Sequence, residues 1–148
     1  MKILIDTNVV LDHLSVRKPF FETSRKVVLI PPMLCKKFVT VKQMADISYL
    51  VKKTGKTRNE VLADLIKLSQ IIELISVTRE DFLNAVNSKM LDFEDALLAY
   101  SAERYGLDFI VTRNVNDFAD SPVTALSPVE FLKNFASESA KNALSNNN

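Results

Sequence analysis

The chain has 148 residues, 47% of them hydrophobic and 25% charged, with a formal net charge of +1. That length supports one domain with a substantial core, and the composition is that of a globular protein rather than a disordered or fibrous one. A single cysteine (Cys35) and a single histidine (His13) exclude a disulfide framework and a Cys/His zinc site within one chain. No apolar run approaches membrane-spanning length, and the acid at position 6 interrupts the start as a secretory leader, so the default expectation is a cytoplasmic protein with no membrane contact.

The charge is unevenly placed. Residues 1–58 carry 12 Lys/Arg against 4 Asp/Glu, a net +8, whereas residues 59–148 carry 7 against 14, a net −7. Lys36, Lys37, Lys42, Lys52, Lys53, Lys56 and Arg58 make up much of the first excess. Such an excess reads either as a phosphate-holding surface or as a solvated face.

In chain order, Lys2 to Asp6 is a short apolar strand without polar alternation, as expected for the middle of a sheet. Asp6-Thr7-Asn8 closes it and opens a helix through Val9, Val10 and Leu14. Asp6 thus stands either at a sheet's carboxyl edge or as a plain helix cap. Pro19 to Ile30 reads as a second helix, stopped by Pro31-Pro32. Phe38-Val39-Thr40 is a strand candidate. Thr40 with Gln43 forms a capping-box pattern for a helix to about Lys53, ended by Thr54-Gly55. On it Met44, Ile47, Leu50 and Val51 face inward, and Asp46 sits one turn in, near a site or simply in solvent.

Asn59 to Ile71 is an amphipathic helix, and Leu74 to Val77 a strand candidate. Thr78 to Asp81 caps the helix carrying Phe82, Ala85 and Val86. Asp92, Glu94 and Asp95 then precede an apolar helical face of Leu97, Leu98, Ser101 and Ala102. Gly106 breaks that helix, Phe109-Ile110-Val111 forms a buried strand, and Thr112-Arg113-Asn114 leads into a polar turn ending at Asp117. Val123 to Ala125 is a weak strand. Ser127-Pro128-Val129-Glu130 is a helix start, and the polar stretch 137–148 is expected to fray, leaving 1–136 as the domain. With only Gly55 and Gly106, no glycine-rich phosphate loop exists.

Strands separated by helices predict a three-layer α/β/α sandwich with a mainly parallel sheet. Asp6, Asp95 and Asp117 then fall near strand carboxyl ends or a helix start facing them, where ligands bind in such sheets. Converging carboxylates repel unless a cation intervenes, and hard ions such as Mg²⁺ or Mn²⁺ prefer oxygen ligands. A small-molecule phosphatase with an aspartyl nucleophile would want a second Asp two residues after Asp6, and position 8 is Asn.

MKILIDTNVVLDHL, VTVKQMADISYLVKK, DFEDALLAYSAERYGLDFIVTRNVNDF and LSPVEFL, in this order and spacing, resemble the PIN-domain family, in particular VapC-like ribonuclease toxins of prokaryotic toxin–antitoxin pairs. The resemblance runs to about Leu132. It implies a metal-dependent endoribonuclease that uses Mg²⁺ or Mn²⁺ and leaves 5′-phosphate and 3′-hydroxyl ends. It implies Asp6, Asp95 and Asp117 as metal-site acids and Asp46 as a fourth catalytic acid, where the family usually has Glu. Thr7 and Asn8 match positions supporting the first acid. Asn114 stands where many relatives have Asp, and Asp92 and Glu94 are accessory ligands or capping charge. Lys42, Lys52, Lys53 and Arg113 are the candidate RNA contacts. A homodimer built on the early and middle helices, and an antitoxin whose tail enters the acid cleft, are the implied partners. A catalytically degenerate PIN domain that binds RNA or protein is the alternative.

Overall fold

The computed structural model describes residues 1–145. Ile3, Leu4 and Ile5 have no exposed surface, the burial on both faces that an unalternating apolar strand requires. They belong to β1 (Lys2–Ile5), followed in the chain by β2 (Lys36–Thr40), β3 (Glu73–Ile75), β4 (Phe109–Val111) and β5 (Ala125–Leu126). The sheet order is β3-β2-β1-β4-β5, and every pairing is parallel. Leu4 lies in register with Phe38 on one side and Ile110 on the other, and Ile5 with Val111. The chain leaves β1 towards β2 and later returns to β4 on the other side of β1. This is a topological switch point, where a crevice opens outside the strands' carboxyl ends.

Helices cover both faces. α1 (Thr7–Leu14), α2 (Phe21–Val28), α3 (Val41–Lys52), α4 (Arg58–Ser69) and the long C-terminal helix Pro128–Ser145 supply Val9, Val27, Ile47, Val61 and Phe131 to a core with Ile3 and Ile5. On the opposite face, Leu4, Phe38 and Ile110 pack against Leu98, Ala99 and Ala102 of the helix Phe93–Arg104, itself backed by the helix Arg79–Val86. Taking these three in chain order gives α5 (Arg79–Val86), α6 (Phe93–Arg104) and α7 (Pro128–Ser145). The three-layer α/β/α architecture is the expected one, with a wholly parallel sheet. No helix among the described residues is long and apolar enough to cross a membrane.

Local chemistry sets the boundaries. Thr40 and Gln43, Thr57 and Glu60, and Thr78 and Asp81 each form reciprocal capping boxes at the starts of α3, α4 and α5. Ser127 and Glu130 do the same ahead of α7. Gly106, at φ 61°, takes the left-handed turn that ends α6 and sends the chain into β4.

Some expected boundaries move. The second helix is shorter than Pro19–Ile30, β3 starts one residue earlier and stops at Ile75, and β5 sits at Ala125–Leu126 rather than 123–125. The expected break at 136/137 falls inside α7, whose backbone helix runs to Ser145. Once Phe131 anchors the first turns in the core, helical hydrogen bonding propagates through a polar sequence at little cost per residue. Residues 146–148 of the expected tail lie outside the described residues.

Lys37, one of the residues behind the N-terminal basic excess, is 1% exposed. Its ammonium donates to the carbonyls of Val28 (2.9 Å) and Ile30. Val28 is the last residue of α2 and Ile30 lies two residues on, so the cation sits at the helix's C-terminal end, where it suits the dipole. Burial holds the Lys37 pKa below its ordinary value of 10.5. The unfolded chain therefore keeps the proton over a range where the folded chain has lost it, and stability rises with pH across that range. Denaturant unfolding of wild type and Lys37→Met from pH 7 to 10.5 checks this. The stability difference should move in wild type's favour as pH rises, and a pH-independent difference would contradict it.

Candidate active site

Asp6 occupies the N-cap position of α1, yet its side chain makes no capping bond. Its Oδ2 instead accepts from Asn8 Nδ2 (2.6 Å) and Thr112 Oγ1 (2.7 Å). Thr112 follows β4, so this contact spans the switch point between the central strands. The Thr112 hydroxyl oxygen also accepts from Asn8 Nδ2 (3.2 Å) and from the Asn114 N–H (3.0 Å). From the other side, Gln43 of α3 donates to the Ile5 carbonyl (2.9 Å) and to Thr7 Oγ1 (3.3 Å). Burial pushes the Asp6 carboxyl above its ordinary range, opposed by the Thr112 hydrogen bond. Asp6 is therefore held by neutral donors and stays 7% exposed.

The second acid group comes from the start of α6. Asp92 caps that helix through Oδ1, accepting from the N–H groups of Glu94 (2.8 Å) and Asp95 (3.0 Å). Farther along, Arg104 and Ser101 hydrogen-bond the buried Asp81 of α5, fixing the α5–α6 pair. The Asp95 carboxyl is pushed up to about 7, first by burial and then by the facing charges of Asp6, Asp92 and Asp117. Asp117 lies in a single 3-10 turn (Val115–Phe118) after β4, its N–H donating to the Asn114 carbonyl (3.0 Å).

These acids meet in one cleft of about 470 Å³. Its walls include Asp6, Asp46, Asp92, Glu94, Asp95, Asn114 and Asp117, with Thr7, Lys42, Gln43 and Tyr49. Lys42 joins α3 to α6, contacting Asp46 Oδ2 (2.8 Å) and the Glu94 carboxylate. The donors are hard oxygens of the kind that Mg²⁺ and Mn²⁺ take. Among the described residues, however, no three acids converge tightly enough to form a ready cation site. The donor set fits a divalent ion in kind, and closing it onto one requires side-chain movement or bridging water.

All four candidate catalytic acids and all five accessory residues except Asn8 line this cleft; Asn8 supports it from behind through Asp6 and Thr112. The candidate RNA contacts separate. Lys42 is engaged by acids, and Lys53 holds its ammonium 4.3 Å from the Tyr49 ring centroid beside the cleft. Lys52 and Arg113 do not line it. Lys37 is buried, while Lys36 pairs with Glu73 and Lys56 with Asp64 at the surface, so these three lysines do not form one open basic surface. Thr112 and Gln43 were missed. The signal for Thr112 was available, since it is the first polar residue after a buried strand. Gln43 already had a full explanation as a cap, which hid its second role.

Because the Asp95 pKa is raised in the folded protein, the stability its neutral form permits declines as pH rises through about 7. Asp95→Asn removes that pH dependence. In metal-free protein its melting temperature should exceed wild type at pH 8 by at least about 2 °C, the shift of roughly 1 kcal/mol in a domain this size once the half-exposure of the group is discounted. The gap should shrink at pH 5, and equal melting at both pH values would contradict the charge crowding.

A family model for the PIN domain matches residues 2–116. No curated protein matches the sequence. Solved structures share the fold at low identity. FitAcB from Neisseria gonorrhoeae is 16% identical with a TM-score of 0.66, over 86% of this chain and 98% of that one. VapBC2 from Rickettsia felis, bound to a DNA fragment from its promoter, is 14% identical with a TM-score of 0.64, over 86% and 98%. VapC20 from Mycobacterium tuberculosis, a sarcin–ricin loop cleaving toxin, is 18% identical with a TM-score of 0.59, over 73% and 86%. The matched stretch begins in β1 and ends one residue short of Asp117, taking in the whole path from Asp6 to the turn after β4. The chain belongs to the PIN-domain family.

Proposed function

We propose that this PIN domain is a metal-dependent endoribonuclease that hydrolyses RNA phosphodiester bonds, and that it is the toxin of a toxin–antitoxin pair. One observation carries the reading: Asp6, Asp95 and Asp117, from three separate parts of the chain, share a cleft in which burial, and then the facing charges of Asp6, Asp92 and Asp117, raise Asp95 to about 7. Perturbed groups gathered in a cleft at a switch point mark a functional site, and hard carboxylates mark one for a divalent ion. Asp6, Asp95 and Asp117 would hold the ion, with Asp46 approaching from α3. A bound Mg²⁺ or Mn²⁺ would supply Lewis-acid polarisation of the phosphodiester and a lowered pKa for attacking water.

The protein's own part is positioning. Thr112 and Asn8 fix Asp6, the α6 cap fixes the backbone of Asp95, and the turn after β4 presents Asn114 and Asp117. In the metal-free site Asp95 holds its proton up to about 7, so protons should compete with the ion, and at subsaturating Mn²⁺ activity should rise between pH 6 and 8. Tyr49 lines the cleft and has the Lys53 ammonium 4.3 Å from its ring centroid, which supports these two as contacts for a nucleic-acid strand. One neighbour of this fold is a toxin–antitoxin complex from Klebsiella pneumoniae, which supports an antitoxin partner; its tail entering the acid cleft is part of the same proposal. A homodimer and a cytoplasmic setting belong to the same reading.

The separation of the acids favours one rival, a degenerate PIN domain that binds RNA or protein without cutting it. Purified protein freed of any antitoxin, given a mixed RNA pool with Mn²⁺ or Mg²⁺, decides between them. Metal-dependent cleavage should appear, vanish with chelator, and fall at least about 100-fold in Asp95→Asn. Folded protein that neither cuts nor binds Mn²⁺ would establish the rival.

A further inference from the structure

The ion pair of Asp12 and Arg113 belongs to neither the core nor the cleft. Asp12 of α1 has no exposed surface. Its Oδ2 accepts from Ser24 Oγ of α2 (3.0 Å) and lies 3.2 Å from Arg113 Nε, an ion pair held by charge, since Asp12 Oδ1 and Arg113 Nε are both buried without a hydrogen-bond partner. Arg113 also sets its guanidinium 4.2 Å from the centroid of the Phe20 ring. Its backbone N–H donates to Asn8 Oδ1 (3.3 Å), and the same Asn8 amide donates to Asp6 (2.6 Å). Arg113 is thus pinned at both ends, between Thr112, which bonds Asp6, and Asn114, which lines the acid cleft. Its side chain borders a different, shallow hollow with Val115, Asn116, Ser127 and Glu130.

We propose that Asp12 and Arg113 form a positioning pair that holds the turn bearing Asn114 and Asp117 against the cleft, in place of a contact between Arg113 and RNA. This rests on the nuclease reading for its catalytic consequence, though not for its structural one. A buried carboxylate demands a counter-charge, so Asp12 fixes where the guanidinium lies. The Phe20 ring, its centroid 4.2 Å from the guanidinium, holds the same group by a cation–π contact, and the two contacts together suit arginine better than the compact ammonium of lysine. The far end of the turn is anchored by Phe118, 3% exposed in the core with Leu98 and Ala102, whereas Asn114, Asn116 and Asp117 are exposed and their near end depends on Arg113. The pair ties this turn to α1 and α2, on the far side of Asp6 from α6.

The test compares wild type with Arg113→Lys, and with the double variant Asp12→Leu/Arg113→Met, which removes the buried charges together and so keeps a foldable core. In metal-free protein, amide hydrogen exchange at Asn114 and Asp117 should accelerate about tenfold in both variants, with α6 amides unchanged. Mn²⁺ affinity by calorimetry should fall about tenfold, as for residues that orient ligands from behind. On RNA, kcat should fall while KM stays within about twofold and its salt dependence is unchanged. A raised KM with a shallower salt dependence, at unchanged kcat and Mn²⁺ affinity, would make Arg113 a phosphate contact and overturn the proposal. A lowered melting temperature with exchange and Mn²⁺ affinity unchanged would also overturn it, leaving the pair a packing feature. If wild type neither binds Mn²⁺ nor cuts RNA, the nuclease reading fails, and amide exchange still decides the positioning claim.

Discussion

Repulsion between carboxylates at the carboxyl edge of the sheet is the constraint around which this molecule is arranged. Asp6 is almost fully buried, and burial together with the charges of Asp6, Asp92 and Asp117 raises Asp95 to about 7. A fold selected for stability alone would place a cation or an apolar residue there. Instead, the hydrogen-bond donors to Asp6 are the neutral amide of Asn8 and the hydroxyl of Thr112. The nearest cations are engaged elsewhere, Lys42 by Asp46 and Glu94 and Arg113 by Asp12. Local rules broken in one place, with supporting structure built around the break, are the mark of a functional site.

The parallel sheet makes that arrangement possible. β1 is buried on both faces, so its apolar run can end in a single acid at the one point where the chain turns out of the core. The neighbouring β4 ends beside it, and Thr112 reaches across to bond Asp6. Gln43 meets the third side, because the capping box that starts α3 leaves its amide nitrogen directed at the end of β1. Backbone geometry, capping chemistry and site chemistry therefore share residues. Altering one of them disturbs more than one level of structure.

Much of this was legible in the sequence. KILID, with no polar alternation, reads as a central strand, and the alternation of helical and strand periods gives the α/β/α class. Asp95 stood out through its place at the start of an apolar helix. What was not legible follows from long-range contacts. Whether Asp6 caps α1 or faces a site depends on Thr112, 106 residues away, and no local pattern records that bond. Lys37 reads as part of a basic run, but in-register pairing with Ile3 turns it towards the core, where two carbonyls accept its hydrogen bonds. Arg113 reads as a surface cation for the same reason; the partner that claims it, Asp12, lies two turns into a distant helix. The polar stretch after residue 136 carries no apolar period, yet its backbone is helical to Ser145.

The central claim is that the crowded acids await a divalent ion. Titrating metal-free protein with Mn²⁺ while following water-proton relaxation, with Asp6→Asn measured alongside, tests it most directly. The account predicts saturable binding at pH 7.5, weakening as the pH falls below 7 and largely lost in the variant. Equal binding by both proteins, or none by a folded wild type, would contradict it.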